Sequence, residues 1–184
     1  DTVLFGRIVS MLFSVAVILM VYLIGLKIFS KKTALLASFF TAFSFNFLFF
    51  SPNILTEIPS TFFALAAFYF FLEGRFFLIG LFSCLAIMAR FFQVFTLIGL
   101  ALMFFFYFYR KPNFWKKVIY VFLGALIIIL PYILLNYLMY DDILLPFKVQ
   151  THLTKTTGWM NYQEYGFYFI GLFKDNFLIL LLLA

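Results

Sequence analysis

Arg90 and Gln93 interrupt the most apolar part of the sequence, the run of residues 76–109. A charged side chain at membrane depth costs about 2.5–3.5 kcal/mol even on lenient insertion scales, so such residues usually face a wet, protein-lined cavity and not lipid. The chemistry that Arg90 offers in such a place is anion binding. The alternative is an arginine that snorkels to the nearer interface and merely ends a helix.

Glu57 is the second candidate, within residues 55–59 (Leu-Thr-Glu-Ile-Pro). It follows a proline-containing turn and opens an apolar run, where its carboxylate could line the same cavity as Arg90. A carboxylate in a first helical turn is also stabilised by the helix dipole, and Asn53 or Thr56 could cap that helix. Helix capping and cavity lining therefore both stay open for Glu57.

The remaining candidates lie at the start of the sequence and in a long polar segment. Arg7, at the mouth of the first apolar run, is a further cavity-lining candidate. Residues 141–165 are predicted to form an external loop with His152, Trp159 and Tyr162, side chains that suit contact with sugars, lipids or peptides. Loops of this length are usually functional or disordered, although Trp and Tyr also form interfacial belts.

Composition places these residues in a membrane protein. Hydrophobic residues make up 66% of the chain and charged residues 11%, with a mean hydropathy of +1.13. Soluble domains have about 25% charged residues. The net charge of +6 does not indicate nucleic acid, because the basic residues lie in short clusters between apolar runs. No phosphate loop, zinc spacing or nucleophile elbow is present, so no cofactor is predicted and a divalent metal has no support.

The apolar runs predict an all-α, polytopic transmembrane bundle with about six complete spans and a truncated seventh. Residues 1–184 are expected to form a single transmembrane domain. As one helix, residues 76–109 would be about 50 Å long against a bilayer core of about 30 Å, so two short helices with a turn near Arg90 are predicted. The predicted spans are residues 7–29, 33–50, 54–73, the two halves of 76–109, 118–140 and a last one that begins after residue 175.

Charge asymmetry supports the turn at Arg90 and orients the chain. With that turn, the loops on one side of the membrane hold a single acid, Glu73, and eight basic residues: Lys27, Lys31, Lys32, Arg75, Arg110, Lys111, Lys116 and Lys117. The other side holds five basic and six acidic residues: Arg7, Arg90, Lys148, Lys155, Lys174, Asp1, Glu57, Asp141, Asp142, Glu164 and Asp175. The first side is predicted to be cytoplasmic. We expect a multi-pass protein of the plasma membrane with its site on the extracytoplasmic face.

Four short motifs together resemble the membrane glycosyltransferases of the GT-C superfamily. They are residues 6–10 (Gly-Arg-Ile-Val-Ser), 24–29 (Ile-Gly-Leu-Lys-Ile-Phe), 55–59, and 80–90, which open with Gly-Leu and close with Ala-Arg. In pattern they are most similar to the dolichyl-phosphate-mannose protein mannosyltransferases and the aminoarabinose-transferase-like enzymes. The resemblance covers nearly the whole chain, and the order and sidedness of the motifs agree with it.

The resemblance implies transfer of a sugar from a polyprenyl-phosphate donor to a lipid, glycan or protein acceptor on the extracytoplasmic face. By position, Arg90 matches the basic residue near the lipid phosphate, and Glu57 matches the acidic residue at the external end of the family's fourth helix. The family's catalytic acid lies in a first external loop, to which Asp1 cannot be assigned. We therefore expect a fragment without the first helix and that loop, inactive on its own, whose catalytic residue is unknown.

Two other classes of protein compete with this interpretation. A transporter or lipid flippase would also carry broken helices and an intramembrane arginine, although no half of the sequence repeats the other. A membrane subunit without a site would leave Arg90, Glu57 and the long polar segment unexplained.

Cysteine labelling tests the predicted topology. Cys84 is the only cysteine in this sequence, so in a Cys84→Ala background single cysteines at Asn113 and Lys155 report on two loops. We expect a membrane-impermeant thiol reagent to label the Lys155 position from outside and the Asn113 position only after permeabilisation. Labelling of both positions from the same side would contradict the topology.

Overall fold

The computed structural model describes residues 2–142, 148–149 and 152. Within them the chain is helical without strands, which confirms the all-α prediction. The chain forms two compact units, of which the first ends at Tyr132 and the second begins at Ile133. The helices are α1 (Thr2–Ile28), α2 (Lys31–Ala42), α3 (Phe45–Phe50), α4 (Glu57–Glu73), α5 (Phe76–Ala89), α6 (Gln93–Phe108) and α7 (Phe114–Tyr140).

Helix length separates two kinds of apolar helix. α1 and α7 have 27 residues each and are long and apolar enough to cross a bilayer. α5 and α6 are apolar but have only 14 and 16 residues, which makes them about 21 and 24 Å long. The number of membrane spans therefore stays a prediction.

The predicted division of residues 76–109 is confirmed. α5 ends at Ala89 and α6 begins at Gln93. Arg90 has extended backbone angles (φ −156°, ψ 115°), and the Gln93 amide donates a hydrogen bond of 3.0 Å to its carbonyl oxygen. Arg90 thus lies in a tight turn between two antiparallel helices.

The prediction of one continuous span over residues 33–50 is wrong. α2 ends at Ala42 and α3 begins at Phe45. Ser44, between them, has extended backbone angles (φ −68°, ψ 137°), and its hydroxyl donates a 3.1 Å hydrogen bond to the Thr41 carbonyl. The break occurs because a serine side chain can satisfy backbone groups locally and so replaces a helical turn.

Basic side chains gather at the end of the first unit opposite Arg90. Lys27, at the end of α1, pairs with Glu73 at the end of α4. Nearby, the ammonium of Lys111 lies 3.4 Å from the ring centroid of Tyr107, and that of Lys117 lies 4.6 Å from the centroid of Phe108. Within the described part of the first unit, Lys27, Glu73, Lys111 and Lys117 thus lie at one end and Arg90 and Glu57 at the other, while which end is cytoplasmic stays a prediction.

Two glycines let α5 and α7 approach closely. A Cβ added to Gly80 would collide with the Val121 carbonyl oxygen, and one added to Gly124 would collide with the Phe77 carbonyl oxygen. Small residues are the usual means of close helix packing in membranes, where lipid competes with every other apolar contact. Gly99 in α6 differs, because a Cβ there would meet nothing within 4 Å.

Alanine substitutions test this packing. We expect Gly80→Ala to lower stability in detergent by about 1–3 kcal/mol, because a methyl group must push two backbones apart. Gly99→Ala is the matched control, and it should be neutral or stabilising by up to about 1 kcal/mol, since alanine favours a helix. Thermal unfolding of the purified variants measures both. Equal melting temperatures for the two variants would refute the close approach.

Candidate functional site

An ion pair joins the turn between α5 and α6 to the start of α4. Arg90 Nη1 lies 2.6 Å from Glu57 Oε1, and the two side chains are 36% and 29% exposed. The second carboxylate oxygen, Glu57 Oε2, is buried without a hydrogen-bond partner among the described residues. The two candidates predicted to share a cavity are therefore in direct contact.

The first turn of α4 holds Glu57. The hydroxyls of Ser60 and Thr61 donate hydrogen bonds of 2.9 and 2.7 Å to the Glu57 carbonyl oxygen. The expectation that Thr56 or Asn53 caps this helix is wrong. Thr56 has helical backbone angles, which do not suit side-chain capping, and the Asn53 amide donates to the Phe49 carbonyl instead.

Buried serines of α1 hold the turn that precedes Glu57. Ser10 Oγ donates a 2.8 Å hydrogen bond to the Asn53 carbonyl, and Ser51 Oγ donates to Ser14 Oγ at 2.8 Å. Ser10 and Ser14 are each 4% exposed. Because buried polar groups are costly when unpaired, these bonds anchor the segment that delivers Glu57 to Arg90.

A pocket of about 300 Å³ opens beside the ion pair. Across it, Gln93 Nε2 donates a 3.3 Å hydrogen bond to Ser60 Oγ. The lining residues come from the first turns of α4 and α6 and the turn before α6: Glu57, Ser60, Thr61, Arg90, Phe92, Gln93 and Thr96. Of these, the sequence pattern indicated only Arg90, Glu57 and Gln93. Spacings of three and four residues from Glu57 and Gln93 could have indicated the hydroxyl residues, since such residues share a helix face.

The charged groups of the pocket are one guanidinium and one carboxylate, whose formal charges cancel. The N-terminus of α4 also borders the pocket and adds a partial positive charge there, which favours an anion. The first amide groups of α6 already bond to the carbonyls of residues 90–92, so the side chain of Arg90 is the main donor for an anion.

The other predicted site residues lie elsewhere. Arg7 is exposed on α1, next to Gly6, which packs against Ile54, and it does not line this pocket. His152 is exposed. Trp159 and Tyr162 lie outside the described residues. Within the described part of the chain, no group of three His, Cys, Asp or Glu side chains could hold a metal ion.

The fold and site define an all-helical integral membrane protein with a hydroxyl-lined pocket that holds an arginine and a glutamate at a helix turn. The family model for dolichyl-phosphate-mannose-protein mannosyltransferases matches residues 2–135, which include every residue of the pocket. The chain belongs to this family of GT-C-type membrane glycosyltransferases, which confirms the resemblance in the sequence. No curated protein and no solved structure gave a significant match.

Charge reversal tests the ion pair. We expect Arg90→Glu and Glu57→Arg each to lower stability by about 1–3 kcal/mol, because two like charges then meet in a partly buried place. The double reversal restores an opposite pair and should recover most of this loss. Melting temperatures of the three variants decide the matter. Additive losses in the double variant would show that the two side chains do not interact.

Proposed function

We propose that this chain binds the donor in a membrane glycosyltransferase that transfers a sugar from a polyprenyl phosphate to an acceptor on the extracytoplasmic face. Family membership supports sugar transfer. The observation that carries the proposed donor site is the ion pair of Arg90 and Glu57 at the edge of the pocket.

Arg90 is proposed to bind the donor phosphate. The contact with Glu57 uses Nη1, and a guanidinium has five N–H donors in a planar fork, so donors remain for phosphate oxygens. A sugar phosphodiester has one negative charge, which the remaining N–H donors of Arg90 can bind through charge-assisted hydrogen bonds. As the sugar leaves, charge grows on the phosphate, and a fixed cation in a poorly solvated site stabilises that charge best.

Glu57 is proposed to position Arg90. Without a partner, an arginine at this depth would extend toward the nearer interface. The carboxylate holds the guanidinium at the pocket, and the first turn of α4 in turn favours the carboxylate. Glu57 thus keeps the cation in place before the donor arrives.

The remaining parts of the proposal rest on the sequence. The charge asymmetry supports an extracytoplasmic site, and residues 141–165, with His152, Trp159 and Tyr162, are proposed to contact the acceptor. The acceptor is a lipid, glycan or protein. Arg7, near the start of α1, is proposed to line the cavity through which the acceptor reaches the donor.

Substitution of Arg90 tests the donor site in the protein that contains this chain. We expect Arg90→Ala to reduce the rate of sugar transfer about 100-fold or more. Losses of this size are usual when one preorganised hydrogen-bond donor to a developing anion is removed. Arg90→Lys should recover only part, because an ammonium keeps the charge and loses the planar fork. Transfer from a radiolabelled polyprenyl-phosphate sugar measures both.

Arg110→Ala is the matched control, since Arg110 is exposed at the opposite end of the helices. It should transfer sugar at the parental rate. Each variant must first melt as the parent does. If folded Arg90→Ala transfers sugar at the parental rate with an unchanged dependence on donor, Arg90 only ends a helix.

A further inference from the structure

Apart from the ion pair, the pocket is lined by uncharged polar groups and one aromatic ring. Ser60, Thr61 and Thr96 contribute hydroxyls, Gln93 contributes a carboxamide, and Phe92 contributes a ring that is 65% exposed. An anion alone does not need such a lining. Hydroxyl and amide groups beside an aromatic face suit a sugar, which has hydroxyls around its edge and C–H groups on its faces.

The hydrogen bonds determine which of these groups can meet a ligand. Ser60 is fully buried, donates to the Glu57 carbonyl and accepts from Gln93. Ser60 therefore positions the amide of Gln93. That bond uses one of the two N–H donors of Gln93, and its amide oxygen is an acceptor, so Gln93 can both donate to and accept from a ligand.

We propose that Gln93, Thr96 and Phe92 form the subsite for the donor's sugar ring, next to the phosphate at Arg90. This inference rests on the proposed function. In a sugar phosphodiester a single oxygen joins ring and phosphorus, so a ring attached to a phosphate at Arg90 must lie within a few ångströms of it. Phe92, Gln93 and Thr96 follow within six residues of Arg90 and line the same pocket.

The volume of the pocket agrees with this assignment. A volume of about 300 Å³ is at the lower limit of ordinary ligand pockets, enough for a sugar phosphate head and too small for a polyprenyl chain as well. The lipid tail then leaves the pocket, while the sugar stays between the first turns of α4 and α6.

Two ligands separate this inference from the proposed function. One is a short-chain polyprenyl phosphate and the other is the same lipid with mannose on its phosphate. Binding of each to the purified protein in nanodiscs is measured for the parent, Gln93→Met, Thr96→Val and Arg90→Ala. Gln93→Met keeps the length of the side chain and removes its hydrogen bonds. Thr41→Val, outside the pocket lining, is the control for Thr96→Val.

We expect Gln93→Met to weaken binding of the mannosyl lipid about tenfold, the value of one hydrogen bond of about 1.4 kcal/mol, and to change binding of the bare phosphate less than twofold. Thr96→Val should likewise weaken binding of the mannosyl lipid, and Thr41→Val should change the binding of neither ligand. Arg90→Ala should weaken both ligands. Melting temperatures identify any variant that does not fold, and the other pocket variant then carries the test.

The outcomes are distinguishable. If Gln93→Met and Thr96→Val weaken the binding of both ligands equally, or change the binding of neither, the sugar subsite is refuted while the phosphate site stands. If Arg90→Ala binds both ligands as the parent does, the proposed donor site is wrong. A parent protein that binds neither ligand contradicts the proposed function and this inference together.

Discussion

The ion pair of Arg90 and Glu57 is the interaction on which the arrangement of this protein depends. α5 and α6 are about 21 and 24 Å long, and as the predicted membrane spans they would place the turn that joins them short of the far side of a bilayer core about 30 Å thick. A lone guanidinium there would be costly. The carboxylate of Glu57, 2.6 Å away, offsets that cost and keeps the cation beside a pocket.

Several elements cooperate to hold this pair. The serines of α1 fix the turn before Glu57, and the hydroxyls of the first turn of α4 bond to its carbonyl. Gly80 and Gly124 let α5 and α7 pack with almost no side chain between them, which supports the short helix that carries Arg90. Backbone proximity and buried hydroxyl bonds therefore act together with the apolar cluster shared by α4, α5 and α6 to position the charges.

Helix lengths and charge patterns made much of this fold predictable. The mismatch between residues 76–109 and a bilayer core predicted the turn at Arg90, and Glu57 was a candidate to line the same cavity, with helix capping as the alternative. The break at Ser44 was missed because a single serine in an apolar run is a weak sequence signal for a helix end. The hydrogen bond from its hydroxyl to the Thr41 carbonyl is visible only in the structure. Ser60, Thr61 and Thr96 were missed because hydroxyl residues in membrane helices usually bond to their own backbone, and only the convergence of two helix ends turns them into a pocket.

The proposed function depends on Arg90 binding the phosphate of a lipid-linked sugar. A cryo-electron-microscopy structure of the protein that contains this chain, in nanodiscs with a non-transferable polyprenyl-phosphate sugar analogue, tests it most directly. We expect phosphate oxygens about 2.7–2.9 Å from the guanidinium nitrogens of Arg90, with the sugar toward Gln93. A phosphate bound away from this pocket, with Arg90 and Glu57 paired as they are without ligand, would contradict it.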